Sequence, residues 1–176
     1  MSARSGAREL AAAAAALALL ATAQAGVQWS ATGALHTSVA GPPVVFEAGA
    51  GGLNTRYFEG FAVSSAGTSF SADFKAKAGG ETRVKDVAHL VSRADGARTV
   101  TLRAPQTTSA GLTAFAWTVR DGSTAVASLD TLLPGASATF TMPAGARFDL
   151  DLRARIVEGA GRHDTTVPFS ITMEVR

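Results

Sequence analysis

The chain of 176 residues contains no cysteine, which removes disulfides, thiolate metal sites and a thiol nucleophile from consideration. Its stability must come from side-chain packing and backbone pairing. Amides are almost missing too: Asn54 is the one Asn, and Gln24, Gln28 and Gln106 are the only Gln. Lysine is confined to Lys75, Lys77 and Lys85. Few thermolabile amides and no thiols suit a hot or harsh extracellular setting, although a GC-rich genome imposes the same bias. An excess of one charge is also lacking. The 16 basic and 14 acidic residues are spread along the chain, and without a cluster of Lys or Arg there is no footprint for nucleic acid.

A long hydrophobic run is absent as well, but a short one is present. Residues 10–25 are uncharged and rich in Ala and Leu, preceded by Arg4 and Arg8 and closed by Ala23-Gln24-Ala25. A basic start, a short apolar stretch and a small-x-small end are the three parts of a secretory signal peptide. A membrane span needs roughly 20 strongly apolar residues, so no stable span is expected after processing. The alternative is an uncleaved N-terminal anchor or pilin-type helix over the same residues. Cleavage after Ala25 leaves Gly26–Arg176, secreted and of ordinary single-domain length.

Beyond residue 25 the hydrophobic period is two almost everywhere. Phe70 to Lys77, Phe148 to Ile156 and Val167 to Arg176 alternate apolar and polar side chains. Each run offers one face to a core and one to water, the habit of antiparallel sheets. Pro168, which has no backbone donor, is expected at an edge or a non-bonded position. Asp95-Gly96 and Asp121-Gly122 each separate two such runs and predict tight hairpins. Pro134-Gly135 and Pro143-Ala144-Gly145 bracket a short strand, Gly159-Ala160-Gly161 marks a looser turn, and Pro105–Gly111 is a polar loop. The pattern predicts about eight strands from Val44 onward in an all-β, antiparallel, jelly-roll-like sandwich. Phe46, Phe58, Phe61, Phe70, Phe74, Phe115, Trp117, Phe140, Phe148 and Phe169 are its expected core.

Residues 26–40 stand apart. Val27, Trp29, Ala31, Gly33, Leu35 and Val39 fall on one face of an extended strand, which Gly41-Pro42-Pro43 then separates from the body. Two consecutive prolines make a stiff joint. Burying Val27, Trp29, Leu35 and Val39 is worth roughly 1.5–3 kcal/mol each. One place to bury them is the sandwich of the same chain. The other is a groove on the next subunit, reached by β-augmentation, a head-to-tail contact that does not close and so builds a filament. The implied organisation is a signal peptide at 1–25, a donor strand and Pro-Pro joint at 26–43, and a sandwich at 44–176.

Catalytic patterns are missing: no Gly-x-Ser-x-Gly, no His-Glu-x-x-His and no P-loop. His36, His89 and His163 lie on separate segments without ligand spacing, so neither a metal nor another cofactor is expected. Asp149 and Asp151 share an outward strand face with Arg147, Arg153 and Arg155, which favours cross-strand ion pairs over a calcium site. Glu47 and Glu59 could form a glycosidase pair only if the fold set their spacing. The expectation is a protein that is not an enzyme.

The layout resembles the TasA/camelysin-type matrix fibre proteins and, more closely, the archaeal bundling pilins similar to them. The resemblance is carried by the signal peptide, the aromatic-bearing N-terminal strand, the stretch from Gly79 to Val91 leading into Asp95-Gly96 and Thr99-Val100-Thr101-Leu102, and the Pro-Gly turn of Leu132 to Phe140. The family's Asn-x-Gly hairpin is here Arg93-Ala94-Asp95-Gly96, and with no zinc-binding motif the peptidase activity ascribed to camelysins is not carried over. The resemblance implies a subunit of an extracellular filament, a homopolymer that donates its N-terminal strand, with neighbouring filaments as further partners in bundles. The competing readings are a secreted monomeric binding module and a type IV-like pilin that keeps residues 10–25 as a helix.

Overall fold

The structure is a computed structural model that describes residues 27–29, 35–37, 41–76, 79–157 and 165–176. The described residues contain twelve strands and no helix. The chain divides into two compact units between Gly41 and Pro42.

In the first unit, β1 (Val27–Trp29) and β2 (Leu35–Thr37) pair antiparallel as a two-stranded sheet of their own. Their register sets Val27 opposite Thr37 and Trp29 opposite Leu35. Ala31, Gly33 and Val39 lie outside the described residues, as do residues 1–26.

The second unit is a sandwich of ten strands: β3 (Val44–Ala48), β4 (Phe58–Val63), β5 (Ser69–Ala76), β6 (Gly80–Ser92), β7 (Arg98–Arg103), β8 (Leu112–Asp121), β9 (Thr124–Asp130), β10 (Ser137–Met142), β11 (Arg147–Ile156) and β12 (Thr165–Val175). They form two five-stranded antiparallel sheets, ordered β10-β7-β12-β5-β4 and β3-β6-β11-β8-β9. The pairing is nested. β5 pairs with β12, β6 with β11, β7 with β10 and β8 with β9, as if one long hairpin had been rolled up across two layers. That is the connectivity of a jelly roll, with β3 and β4 added at one side.

The strand count therefore exceeds the expected eight by two. Nesting also corrects one turn. Asp121-Gly122 does close a hairpin, at the apex of the rolled pair, where Gly122 has φ 55° and Asp121 sits opposite Thr124. Asp95-Gly96 does not: it carries the chain from β6 in one sheet to β7 in the other. Asp-Gly fits a hairpin but does not require one, and here both flanking strands already have other partners. Pro168 pairs with Asp73 on one side, while the ladder to β7 begins only at Thr172. On its other side the proline is thus beyond the β7 ladder, which is how it sits in a strand that is central elsewhere.

Alternation becomes burial directly. Along β11, Phe148, Leu150, Leu152, Ala154 and Ile156 are buried. The expected aromatics all join the core, with Phe61 partly buried at its margin. Phe70, Phe115, Trp117 and Phe169 meet edge-on or tilted, with ring centroids 5.0–6.1 Å apart, the spacing favoured by aromatic quadrupoles.

Candidate functional site

The most built polar feature of the sandwich lies where β6 loses its regular pairing. Leu152 is opposite Val84 and Leu150 is opposite Ala88, so Lys85, Asp86 and Val87 face the single residue Asp151. This bulge keeps Val84 and Ala88 on the core face while pushing Asp86 out of line. Asp86 has φ 55° and is the one non-glycine residue with positive φ among the described residues. Asp is one of the few side chains that tolerate this conformation.

The loop after β3 closes over the bulge. Gly49 N donates to Val87 O (3.1 Å), Gly51 N to Asp86 O (2.8 Å) and Ala50 N to Asp86 Oδ2 (3.1 Å). Glycine is required for so close an approach: a Cβ on Gly49 or Gly51 would stand 2.1 Å from the carbonyl oxygen of Asp86 or Lys85. From the other side, Asp86 N donates to Asp151 Oδ1 (2.9 Å), and Asp151 Oδ2 accepts from Arg120 Nε (2.9 Å). Arg120 in turn donates to Ser123 O in the β8–β9 hairpin (2.9 Å).

His89 lies at the centre. It follows Ala88 on β6, opposite Asp149 on β11 and Glu47 on β3, and therefore projects from the outer face of the sheet. Even so, its side chain is only 8% exposed. Nδ1 lies 2.9 Å from Asp149 Oδ1 and forms a hydrogen bond with it. Nε2 lies 2.8 Å from Asp86 Oδ1, but the oxygen is off the ring N–H direction, and Oδ1 is left buried with no hydrogen-bond partner. Asp86, His89 and Asp149 thus bring one ring and two carboxylates within 4.8 Å of one another. They line an open recess of about 770 Å³ that also receives Lys85, Arg120 and Arg147.

The Asp149–His89 pair has the geometry that orients an imidazole in hydrolytic sites. However, Nε2, the atom that would take a proton from a nucleophile, has Asp86 Oδ1 crowded beside it at 2.8 Å. Glu47 and Glu59 are on different sheets and pair with Arg93 and Lys75. Of the outward charges of β11, Asp151 pairs with Arg120 and Arg153 with Glu81, whereas Asp149 pairs with His89 and not with an arginine.

Of the donor-strand residues read from the sequence, the pairing of β1 with β2 sets Trp29 opposite Leu35 and includes Val27. Sequence spacing could not group His89 with Asp86 and Asp149: Asp149 reaches it only through the β6–β11 register, and Asp86 only through the bulge. A signal that could have marked the site is the cluster Gly49-Ala50-Gly51-Gly52, since glycines at such density mark close backbone approach.

No family model, curated protein or solved structure matches this chain.

Proposed function

We propose that this chain is a structural subunit of an extracellular filament, secreted by way of residues 1–25 and polymerised head to tail by donation of its N-terminal strand. It would be a fibre protein of the kind the TasA/camelysin-type proteins and bundling pilins exemplify, with its own copies as partners and no catalytic role. The observation that carries the reading is a pair of unguarded sheet edges. Edge strands are normally blunted by charge or proline, yet β10 contains neither and β9 carries a charge only at its last residue, Asp130. These two edges approach each other along one side of the sandwich. The opposite edges, β3 and β4, carry Glu47 and Glu59.

The segment that would be donated is matched to such an edge. Residues 26–40 carry no Asp, Glu, Lys or Arg, and β1 and β2 belong to neither of the five-stranded sheets. In the proposed polymer, the β1–β2 pairing is exchanged for pairing along a neighbour's edge, and Val27, Trp29, Ala31, Leu35 and Val39 fill the groove beside it. Gly33 leaves room for close backbone approach midway.

The test is to delete residues 26–40 and examine the product by electron microscopy and circular dichroism. A folded subunit that no longer forms filaments, and that binds a synthetic peptide of residues 26–40, is the expected result. Filaments from the deleted chain, or an unfolded chain that the peptide does not rescue, would overturn the reading.

A further inference from the structure

We propose that Asp86 Oδ1 and His89 Nε2 are adjacent ligands of a six-coordinate first-row divalent cation, with water from the recess completing the shell and Asp149 fixing the imidazole. Three observations meet here. His89 is more than nine-tenths buried, although it projects from the outer face of its sheet. Its Nδ1 is held by Asp149 Oδ1, the carboxylate–histidine arrangement that fixes the tautomer of a metal-binding imidazole and raises the basicity of its other ring nitrogen. Asp86 Oδ1, beside that nitrogen, is buried and has no hydrogen bond.

The spacing identifies the geometry. The two atoms are 2.8 Å apart, and the oxygen lies to the side of the nitrogen's bonding direction, not along it. With metal–ligand bonds of about 2.1 Å, that separation subtends slightly less than a right angle at the ion. Adjacent ligands of an octahedron fit it. Ligands of a tetrahedron would be roughly 3.4 Å apart for the same bond length. One imidazole and one carboxylate with water suit Co²⁺, Ni²⁺ or Mn²⁺, chosen by geometry and ligand type.

The cations around the recess do not fill the position. Arg120 is committed to Asp151 and Ser123, while Lys85 and Arg147 are exposed. With two protein ligands the site is modest in strength. Its effect is local: Asp86 Oδ2 also accepts from Ala50 N, so an ion on Oδ1 would fasten the Gly49–Gly52 loop to the bulge.

The experiment titrates the untagged protein with Co²⁺, followed by visible absorption and calorimetry. Expected are one ion per chain and the weak absorption of six-coordinate Co²⁺. D149N should weaken binding about 10–100-fold, and D86N and H89Q should each abolish it. Asn tolerates positive φ as Asp does, so D86N keeps the bulge, and circular dichroism checks that it folds. No stoichiometric binding by the parent protein would overturn the site. So would binding that persists in D86N and H89Q, which would place the ion on His36 or His163, or an intense tetrahedral spectrum.

Discussion

Trp117 on β8 and Phe169 on β12 face each other across the two sheets, with ring centroids 5.0 Å apart and planes inclined at 48°. Trp117 is fully buried, and its Nε1 has no hydrogen-bond partner. The indole therefore contributes area and shape while leaving a buried donor unmet. Trp117→Ala should cost about 3–5 kcal/mol. Trp117→Phe loses volume but also removes an unmet donor, whose burial costs about 1–3 kcal/mol, so its net cost should stay below about 1.5 kcal/mol. Urea unfolding of the two variants measures the difference.

Two glycines should respond in opposite directions. Gly51 has no space for a side chain, because its Cβ would stand 2.1 Å from Lys85 O, a backbone atom. Gly51→Ala should destabilise by about 1–3 kcal/mol, as overpacking does. Gly96 has nothing within 4 Å of its Cβ position and no positive φ. Gly96→Ala should be neutral or stabilise by up to about 1 kcal/mol, through the lost freedom of the unfolded chain. Thermal midpoints of the pair would show whether the loop at 49–52 is bound to the bulge as tightly as its hydrogen bonds imply.

Glu81 supplies the pH test. Hydrogen bonds from Arg83 and then Arg153 hold its carboxyl below the usual glutamate range. A carboxylate whose folded pKa is depressed contributes stability that is present above its unfolded pKa and lost as pH falls through its folded pKa. Glu81→Gln should accordingly melt below the parent protein at neutral pH, and the gap should close on acidification. Because the group is exposed, the gap should be small and should shrink with added salt.

The strands were legible where the alternation is unbroken. β5, β10, β11 and β12 each read as one face in and one face out, and their buried residues follow that pattern. Nesting was not legible. Asp95-Gly96 and Asp121-Gly122 look alike locally, but only the second joins strands that pair with each other, and partner choice is set by residues far away in sequence. The Asp86–His89–Asp149 cluster was hidden for a related reason. It needs a cross-strand register and a bulge; the bulge returns Ala88 to the face of Val84, and its only trace in the sequence is Asp86 and Val87 falling out of phase with the alternation.

The unguarded edges lead to the sharpest test of assembly. A lysine on an exposed edge strand opposes further pairing, because a neighbouring strand would have to desolvate it. Ser128 on β9 and Thr139 on β10 are exposed and lie mid-strand. Thr139 shares a 3.0 Å hydroxyl contact with Thr101, so its replacement loses one surface hydrogen bond. Ser128→Lys touches nothing buried and should change stability by less than about 0.5 kcal/mol; Thr139→Lys should cost slightly more. If a donated strand pairs along β9, Ser128→Lys should stop filament growth while the subunit stays folded. If it pairs along β10, Thr139→Lys should do so. Filaments from the double variant would move the acceptor to β3 or β4, where a strand would have to lie beside Glu47 or Glu59. Electron microscopy of the folded variants decides among these outcomes, and the edge that fails when charged is the one that accepts the strand.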